Sequence, residues 1–257
     1  MKNAVLVTAR TASTRLPNKA LTKLYGETSL IEHVLKRAKL SQLSNQVILC
    51  TTNLGEDDIL CQIAIDNGVD YFRGSVQDKL TRWLGAVTEN QVDYFVTMDG
   101  DDPFCSPELV DLAFQQINSD KSDFIENENV ITGLFTYAIS VDALRQVCAI
   151  KDTSDTEMMW TFFKDTGLFT VRELLNIPEL FLRRDMRLTI DYPEDLLMFR
   201  KIFELLPEGE HIKIQNVVEL LSNNPTLNSI NFFRQKEFEI NQKEKTVFKI
   251  KTIKESK

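Results

Sequence analysis

Apolar and polar positions along the first hundred residues follow two alternating patterns. In one, a short apolar run leads into a polar loop, as in a buried strand; these runs lie at 4–8, 47–51 and 94–98. In the other, apolar residues recur every three or four positions, as on the buried face of a helix; these segments lie at 30–38, 59–64 and 80–87. Strands and helices are therefore predicted to alternate.

This alternation is typical of βαβ units, which form a mainly parallel sheet with helices on both faces. Two further helices are predicted, because Pro107 follows the capping residue Ser106 and Pro193 stands ahead of another apolar helical pattern. Ligands of such sheets bind at the carboxyl ends of the strands. The polar loops that follow the strands are therefore the candidate functional segments.

The segment after residue 225 is rich in Lys and Glu, and within it Phe248 and Ile250 alternate with Lys249 and Lys251. Lysines on an exposed strand discourage pairing with other chains. We therefore interpret residues 226–257 as an extension that includes an edge strand, and residues 1–225 as the catalytic domain. A chain of 257 residues is long enough for one large domain with its own core.

The composition excludes several classes of protein. Hydrophobic residues make up 43% and charged residues 26% of the chain, and a formal net charge of -8 disfavours general attraction to nucleic acid or anionic lipid. The four cysteines lack disulfide or metal spacing and are expected to be reduced core residues. The N-terminus lacks a signal-type apolar segment, so we expect a cytoplasmic protein without a membrane span.

The loop after the first predicted strand, residues 8–19, concentrates positive charge. It carries Arg10, Arg15 and Lys19, together with the hydroxyls of Ser13 and Thr14. A guanidinium binds two phosphate oxygens at once, and ammonium and hydroxyl groups complete such a site. The loop is a candidate anion site, and the alternative is a solvated basic turn. It lacks the glycines of a P-loop or of a dinucleotide fingerprint.

A cluster of aspartates follows the strand predicted at 94–98. Asp99, Asp101 and Asp102 lie in the sequence Asp-Gly-Asp-Asp-Pro. Neighbouring carboxylates repel one another unless a cation compensates them, and oxygen ligands suit magnesium. Asp101 is therefore a candidate metal ligand. The alternative is an ordinary turn, because Asp, Gly and Pro all favour turns.

Residues 187–195 are predicted to form a strand that delivers Asp191 just ahead of the helix at Pro193. If both aspartate segments belong to one sheet, Asp191 approaches the cation that Asp101 binds. Alternatively, Asp191 caps the helix. Glu194 and Asp195 fit the first helical turn, where acidic residues are favoured, and we assign them a structural role.

Three further features admit two interpretations each. Residues 154–157, Ser-Asp-Thr-Glu, fit a capping box better than part of an acceptor site. Residues 133–137 suit either the wall of an acceptor pocket or a core or dimer strand. His33 and His211 belong to no catalytic or zinc arrangement and are expected to be structural or exposed.

Together these segments resemble the cytidylyltransferase family that includes SpsF-like spore coat polysaccharide proteins, CMP-Kdo synthetases and acylneuraminate cytidylyltransferases. The resemblance covers residues 1 to about 206 and rests on four motifs in the order of the family: 8–21, 72–82, 99–103 and 187–195. Two departures matter, because Ala12 and Asn18 stand where the family commonly has glycine. A side chain there hinders close approach of phosphate to the backbone.

The resemblance implies a three-layer α/β/α fold of Rossmann type with a mostly parallel mixed sheet, and a homodimer. It implies that residues of the first loop hold the CTP phosphates: Arg10, Ser13, Thr14, Arg15 and Lys19. It also implies that Asp101 and Asp191 bind Mg²⁺. Three more residues are expected near the nucleoside: Arg73, Gly74 and Asp99.

The implied reaction transfers CMP from CTP to a sugar-like acceptor, such as a 3-deoxy sugar acid or a phosphorylated sugar for a surface polysaccharide, and releases pyrophosphate. Enzymes catalyse such a reaction by positioning the reactants and neutralising the charge of the phosphates. The predicted catalytic residues are therefore Arg10, Arg15, Lys19 and Asp101. Two alternatives stay open: a sugar-nucleotide glycosyltransferase whose metal is held by Asp99-Gly100-Asp101, and a nucleotide-binding protein without activity.

Overall fold

The computed structural model describes residues 1–13 and 15–251. Within them the chain forms nine strands: β1 (Asn3–Thr8), β2 (Lys23–Tyr25), β3 (Thr28–Ser29), β4 (Gln46–Thr52), β5 (Asp70–Gly74), β6 (Tyr94–Asp99), β7 (Phe124–Glu126), β8 (Ala138–Ser140) and β9 (Val171–Glu173). The same residues form ten α-helices: α1 (Leu30–Ala38), α2 (Asp58–Asp66), α3 (Lys79–Glu89), α4 (Pro107–Asp120), α5 (Val141–Ile150), α6 (Thr161–Lys164), α7 (Pro193–Leu205), α8 (Ile214–Asn223), α9 (Pro225–Phe232) and α10 (Gln235–Glu244).

Seven strands form one sheet in the order β5-β4-β1-β6-β8-β7-β9. The first four run parallel, so that Val5 of β1 lies beside Val47 of β4 and Val96 of β6. Strand β8 is antiparallel to both of its neighbours, and β9 is parallel to β7. The prediction of a mostly parallel mixed sheet is confirmed.

Alternate residues of the central strand β1 enter two separate hydrophobic clusters. Val5 and Val7 pack with apolar side chains of α1, α4 and α7. Ala4 and Leu6 pack with side chains of α3 and α5 on the opposite face. Burial on both faces explains the unbroken apolar run of this strand, since a strand covered on one face alternates with polar residues. The predicted three-layer α/β/α architecture is confirmed.

Helix α4 begins where the sequence predicts, with Pro107 in its first turn and the Ser106 hydroxyl accepting a hydrogen bond from the Leu109 N–H at 3.3 Å. Helix α7 begins at Pro193, and the Asp195 carboxylate accepts a hydrogen bond from the Tyr192 N–H at 2.9 Å. The expected structural role of Asp195 follows from this capping contact.

The predicted strand at 187–191 is wrong. This segment makes a single isolated parallel bridge, between Arg187 and Thr132. The Ile190 N–H then donates to the Asp101 carbonyl at 2.8 Å, so the backbone bonds to a loop and not to a strand. Gly133 is needed beside this segment, because a Cβ on it would lie 2.2 Å from the Leu188 oxygen.

The predicted capping box at 154–157 is also wrong, because no helix begins there. The Thr156 hydroxyl instead donates to the Asp78 carboxylate at 2.9 Å and accepts from the Leu80 N–H at 3.0 Å. Thr156 therefore completes the N-terminal cap of α3, a helix far from it in sequence.

The edge strand predicted near Phe248 and Ile250 reduces to one isolated antiparallel bridge between Ile250 and Lys151. Helices α9 and α10 occupy most of the preceding extension, and the Lys, Glu and Gln residues of α10 are good helix formers. Phe248 packs edge-on against Phe162, with ring centroids 5.3 Å apart. The domain boundary at residue 225 stays a prediction.

No helix in residues 1–13 and 15–251 is both long and apolar enough to cross a membrane. The cysteines carry free thiols, three of them buried. His33 is buried as well, and its Nε2 donates to the Pro103 carbonyl at 2.8 Å. This bond joins α1 to the loop of aspartates after β6, which gives His33 the structural role expected from the sequence.

Candidate active site

A cleft of about 1380 Å³ opens at the carboxyl ends of the parallel strands. Seven of the residues predicted from the sequence line it: Arg10, Ser13, Arg15, Lys19, Asp99, Asp101 and Asp191. The basic loop follows β1 and the aspartate loop follows β6, and these strands are neighbours in the sheet. The topology therefore brings the two motifs together.

The three aspartates after β6 converge on one point. One carboxylate oxygen from each of Asp99, Asp101 and Asp102 lies within 4.8 Å of the others. Burial raises the pKa of the Asp101 carboxyl, and burial together with the charge of Asp101 raises the pKa of Asp102 well above its ordinary value. Partly buried carboxylates this close together fit a divalent cation, which would favour their charged forms.

Lys19 lies between two carboxylates of the cleft. Its Nζ lies 2.5 Å from Asp101 Oδ2 and 3.1 Å from Asp191 Oδ1, and it donates to the Ile190 carbonyl at 2.9 Å. Burial alone would lower the pKa of Lys19, but the charges of Asp101 and Asp191 outweigh it and raise the pKa. The ammonium therefore stays charged and joins the two aspartates that the sequence assigned to one cation.

Asp191 is surrounded by cations. Its Oδ1 also lies 2.5 Å from a nitrogen of Arg15, and its Oδ2 lies 2.9 Å from a nitrogen of Arg187. Burial would raise the pKa of this carboxyl, but Lys19, Arg15 and Arg187 together lower it to about 2. Among the residues described, Asp191 lies outside the cluster of three aspartates.

Behind Asp191, a buried network fixes its position. The fully buried Arg187 bonds to both oxygens of Asp195 at 3.0 and 3.2 Å. Asn231 of α9 donates to Asp195 at 2.9 Å and to the Arg187 carbonyl at 3.0 Å. Phe238 of α10 lies against the Arg187 guanidinium, whose carbon is 4.4 Å from the centroid of the Phe238 ring. The C-terminal helices thus help to hold Asp191.

The other cations of the cleft are paired with acids in the same way. Arg10 lies 3.2 Å from Glu157, and Lys79 lies 3.2 Å from Asp99. Each pair is partly exposed, so that water or an anionic ligand can compete for the cation. The cleft therefore combines cations suited to phosphate oxygens with carboxylates suited to a metal.

A family model described as cytidylyltransferase matches residues 4–220. The chain belongs to the cytidylyltransferase family. A relative from Methanocaldococcus jannaschii, "Uncharacterized protein MJ1063", is 32% identical over 244 residues, which cover 93% of this chain and 98% of that protein. The "Spore coat polysaccharide biosynthesis protein SpsF" of Bacillus subtilis is 26% identical, over 86% of this chain and 94% of that one.

A solved structure of a cytidylyltransferase from Leptospira borgpetersenii is also similar, with a TM-score of 0.80 and 26% identity over 89% of this chain and 97% of that one. The resemblance read from the sequence motifs is confirmed. As a member of the cytidylyltransferase family, the chain is a CTP-dependent nucleotidyltransferase.

Two residues expected near the nucleoside do not reach the cleft of this cytidylyltransferase. Arg73 donates to the carbonyls of Thr52 and Leu54 and pairs with Asp58 at 2.6 Å. Gly74 packs against α3 instead. Arg73 therefore ties β5 to the loop after β4. Thr14, expected to bind phosphate, lies outside the described residues.

The two departures from the glycines of the family have different structural settings. Asn18 adopts a left-handed backbone with φ 55°, which explains why glycine is common there, and asparagine tolerates this region better than most residues. Ala12 has no positive φ. Its methyl group lines the cleft, next to the phosphate loop.

Several residues that line the cleft were not predicted from the sequence. Lys79 and Glu157 had only weak signals, since each belongs to a segment that also fits a helix start. A clearer signal lies in the C-terminal extension, where residues at helical spacing face the cleft: Phe238, Asn241, Gln242 and Lys245. That spacing indicates a helix. The mixture of apolar, polar and charged residues on one face indicates that this face borders both protein and solvent.

Proposed function

We propose that this cytidylyltransferase transfers CMP from CTP to a sugar-like acceptor in a Mg²⁺-dependent reaction and releases pyrophosphate. The acceptor is a 3-deoxy sugar acid or a phosphorylated sugar for a surface polysaccharide. The enzyme acts in the cytoplasm as a homodimer. The supporting observation is that the basic loop after β1 and the aspartate loop after β6 face each other across one cleft.

In this proposal the basic loop binds the triphosphate. Arg10, Arg15 and Lys19 supply charge-assisted hydrogen bonds, and Ser13 supplies a hydroxyl. An oxygen of the acceptor attacks the α-phosphorus, the bond to the oxygen that bridges the α- and β-phosphates breaks, and pyrophosphate leaves. If the attacking group is a hydroxyl, its proton passes to solvent. The same cations neutralise the charge that develops on the leaving pyrophosphate. No covalent enzyme intermediate is needed.

The aspartates after β6 would hold the metal, with Asp101 as the central ligand between Asp99 and Asp102. A bound Mg²⁺ supplies charge neutralisation at the α-phosphate and orients the attacking oxygen. Asp191 is close enough to join this set once Lys19 turns to phosphate, because Lys19 now separates it from Asp101. Its present contacts position Arg15 and Lys19 for the triphosphate.

The acceptor is proposed to bind away from the basic loop, where the walls of the cleft are mixed in character. Residues of the segment 133–137 contribute there, together with Trp160 and Lys164 of the α6 region. Lys164 is held between Glu126 at 2.5 Å and Glu128 at 2.8 Å. Aromatic faces beside charged hydrogen-bonding groups suit a polyhydroxylated sugar.

The test is pyrophosphate release by the purified protein with Mg²⁺, each of the four nucleoside triphosphates, and a panel of sugar acids and sugar phosphates. We expect release that needs both CTP and one acceptor. Asp101→Asn keeps the shape of the side chain but removes its charge, so we expect kcat to fall about a hundredfold or more. The matched control is Asp58→Asn, because Asp58 is an exposed aspartate that pairs with Arg73.

Asp101→Asn with wild-type turnover in Mg²⁺ would contradict the metal assignment. Transfer of a sugar with release of a nucleoside diphosphate would favour a glycosyltransferase. CTP binding without turnover on any acceptor would favour a nucleotide-binding protein. Size-exclusion chromatography with light scattering tests the homodimer, and a monomer at working concentration would contradict it.

A further inference from the structure

Arg82, at the first turn of α3, is a buried cation that lines the cleft and lacks an acidic partner. Its Nη1 donates to the Ser75 carbonyl at 2.6 Å. Its Nε is buried without a hydrogen-bond partner, and no carboxylate in the described residues forms an ion pair with it. The residue is only 4% exposed.

The other two buried arginines are well satisfied. Arg37 donates to three carbonyls at 2.9 to 3.2 Å, and Arg187 bonds to Asp191 and Asp195. A guanidinium stays charged in a protein, and burying it without partners is strongly unfavourable. Hydrogen bonds and ion pairs within the protein therefore account for the burial of Arg37 and Arg187 but not for that of Arg82. Arg82 lines the cleft, so a ligand there would supply further acceptors to its guanidinium group.

The position of Arg82 indicates which part of the nucleotide it meets. The aspartates after β6 lie on one side of β1, whereas β4, β5 and the turn into α3 lie on the other. Trp83, next to Arg82, donates to the Thr8 hydroxyl at 2.8 Å and fixes α3 against β1. If the triphosphate occupies the basic loop near Asp101, the nucleoside extends toward the β5–α3 turn, where Arg82 is.

We propose that Arg82 binds the base of the nucleotide by donating hydrogen bonds to the carbonyl oxygen O2 and the ring nitrogen N3 of cytosine. The inference rests on the proposed function, because it takes CTP as the nucleotide. A guanidinium only donates hydrogen bonds. Cytosine presents two adjacent acceptors at O2 and N3, whereas uracil has an N–H donor at N3. Arg82 would therefore select cytosine over uracil, much as paired donors select a base edge in nucleic acids.

Isothermal titration with CTP, UTP and tripolyphosphate, each with Mg²⁺, tests the proposal on wild type, Arg82→Gln and Arg82→Lys. We expect both variants to bind CTP about tenfold or more weakly, since a bidentate base contact is lost. UTP and tripolyphosphate affinities should change less than about threefold. The control is Arg73→Gln, which alters the neighbouring arginine outside the cleft and should leave the preference for CTP over UTP unchanged.

A CTP to UTP preference that stays at the wild-type value in both variants would overturn the proposal. So would an equal loss of tripolyphosphate binding, because that result would place Arg82 on the phosphates. Wild-type protein that binds no CTP would overturn the proposed function and this inference with it, so the two failures are distinguishable. Thermal melting of Arg82→Met without nucleotide gives a second readout. We expect an unchanged or higher melting temperature, and a clear fall would indicate a purely structural arginine.

Discussion

Replacing Lys19 by Met should change metal binding and nucleotide binding in opposite directions. The ammonium lies 2.5 Å from Asp101 Oδ2 and 3.1 Å from Asp191 Oδ1, where it compensates the carboxylates that we assign to the metal. Lys19→Met removes this charge but keeps most of the length of the side chain. The variant should therefore bind Mg²⁺ more tightly than wild type and CTP more weakly.

The size of the effect follows from the geometry. Two unit charges 4 Å apart attract by about 4 kcal/mol at an effective dielectric constant of 20. The side chains of Lys19 and Asp101 are 16% and 26% exposed, so solvent reduces this attraction. About a third of it, 1.4 kcal/mol, corresponds to a tenfold change in affinity. We therefore expect about tenfold tighter Mg²⁺ binding without nucleotide, and about tenfold weaker CTP binding at saturating Mg²⁺.

Isothermal titration of the nucleotide-free protein with Mg²⁺ measures the first effect, and a second titration with CTP measures the other. Lys151→Met is the matched control, because Lys151 lies 2.5 Å from Asp78 and is comparably buried, but Asp78 is outside the aspartate cluster. Unchanged or weaker Mg²⁺ binding by Lys19→Met would show that the Lys19 ammonium does not compete with the metal for Asp101. An equal gain in Lys151→Met would show only a general effect of lost positive charge.

Two further predictions concern stability. Burial lowers the pKa of His33 from 6.5 to about 3, so the stability that neutral His33 contributes is complete above pH 6.5 and is lost as the pH falls toward 3, by up to about 1.4 kcal/mol per pH unit. Denaturant unfolding of wild type and His33→Gln from pH 7 to 5 measures this loss. Free energies of unfolding that change equally with pH in the two proteins would contradict the prediction. Asn18 has φ 55°, so Asn18→Ala should cost about 1 kcal/mol whereas Asn18→Gly should cost nothing, as thermal melts would show. Equal melting temperatures for the Ala and Gly variants would argue against this backbone constraint.

The fold was predictable from the sequence where local signals agree with the tertiary packing. The apolar run at 4–8 became the central strand because both faces of that strand are buried. Pro107 and Pro193 indicated where two helices begin, because the fixed φ of proline and its missing N–H suit the first turn of a helix and not its interior. These signals are local, and the tertiary structure reinforces them.

The errors arise where distant residues complete a local pattern. Thr156 has the sequence context of a helix cap, and it does cap a helix, but that helix is α3, some seventy positions earlier. Residues 187–190 have the apolar pattern of a strand, yet their backbone N–H groups donate to two loops, at Thr132 after β7 and at Asp101 after β6. In both cases a local sequence pattern indicates that a residue is buried or hydrogen-bonded, but it does not identify the distant partner.

The candidate site was predictable in its charged residues but not in their pairing. The sequence indicated that Asp101 and Asp191 share a cation, and the cation that lies between them here is the ammonium of Lys19. Arg73 fitted the family motif, yet its guanidinium satisfies the carbonyls of Thr52 and Leu54 outside the cleft. The spacing of residues along a chain indicates which charged groups belong to a site, whereas long-range contacts decide which of these groups pair with one another.

The pairing of cations with acids has a consequence for how ligands enter the cleft. A nucleotide alone has to take Lys19 and Arg15 from Asp191, which leaves buried carboxylates without partners. A divalent cation alone has to displace the Lys19 ammonium from Asp101. When both arrive, phosphates take the ammonium and guanidinium groups and the metal takes the carboxylates, so neither set of charges is left uncompensated. Each ligand therefore raises the affinity for the other, and this coupling is reciprocal by linkage.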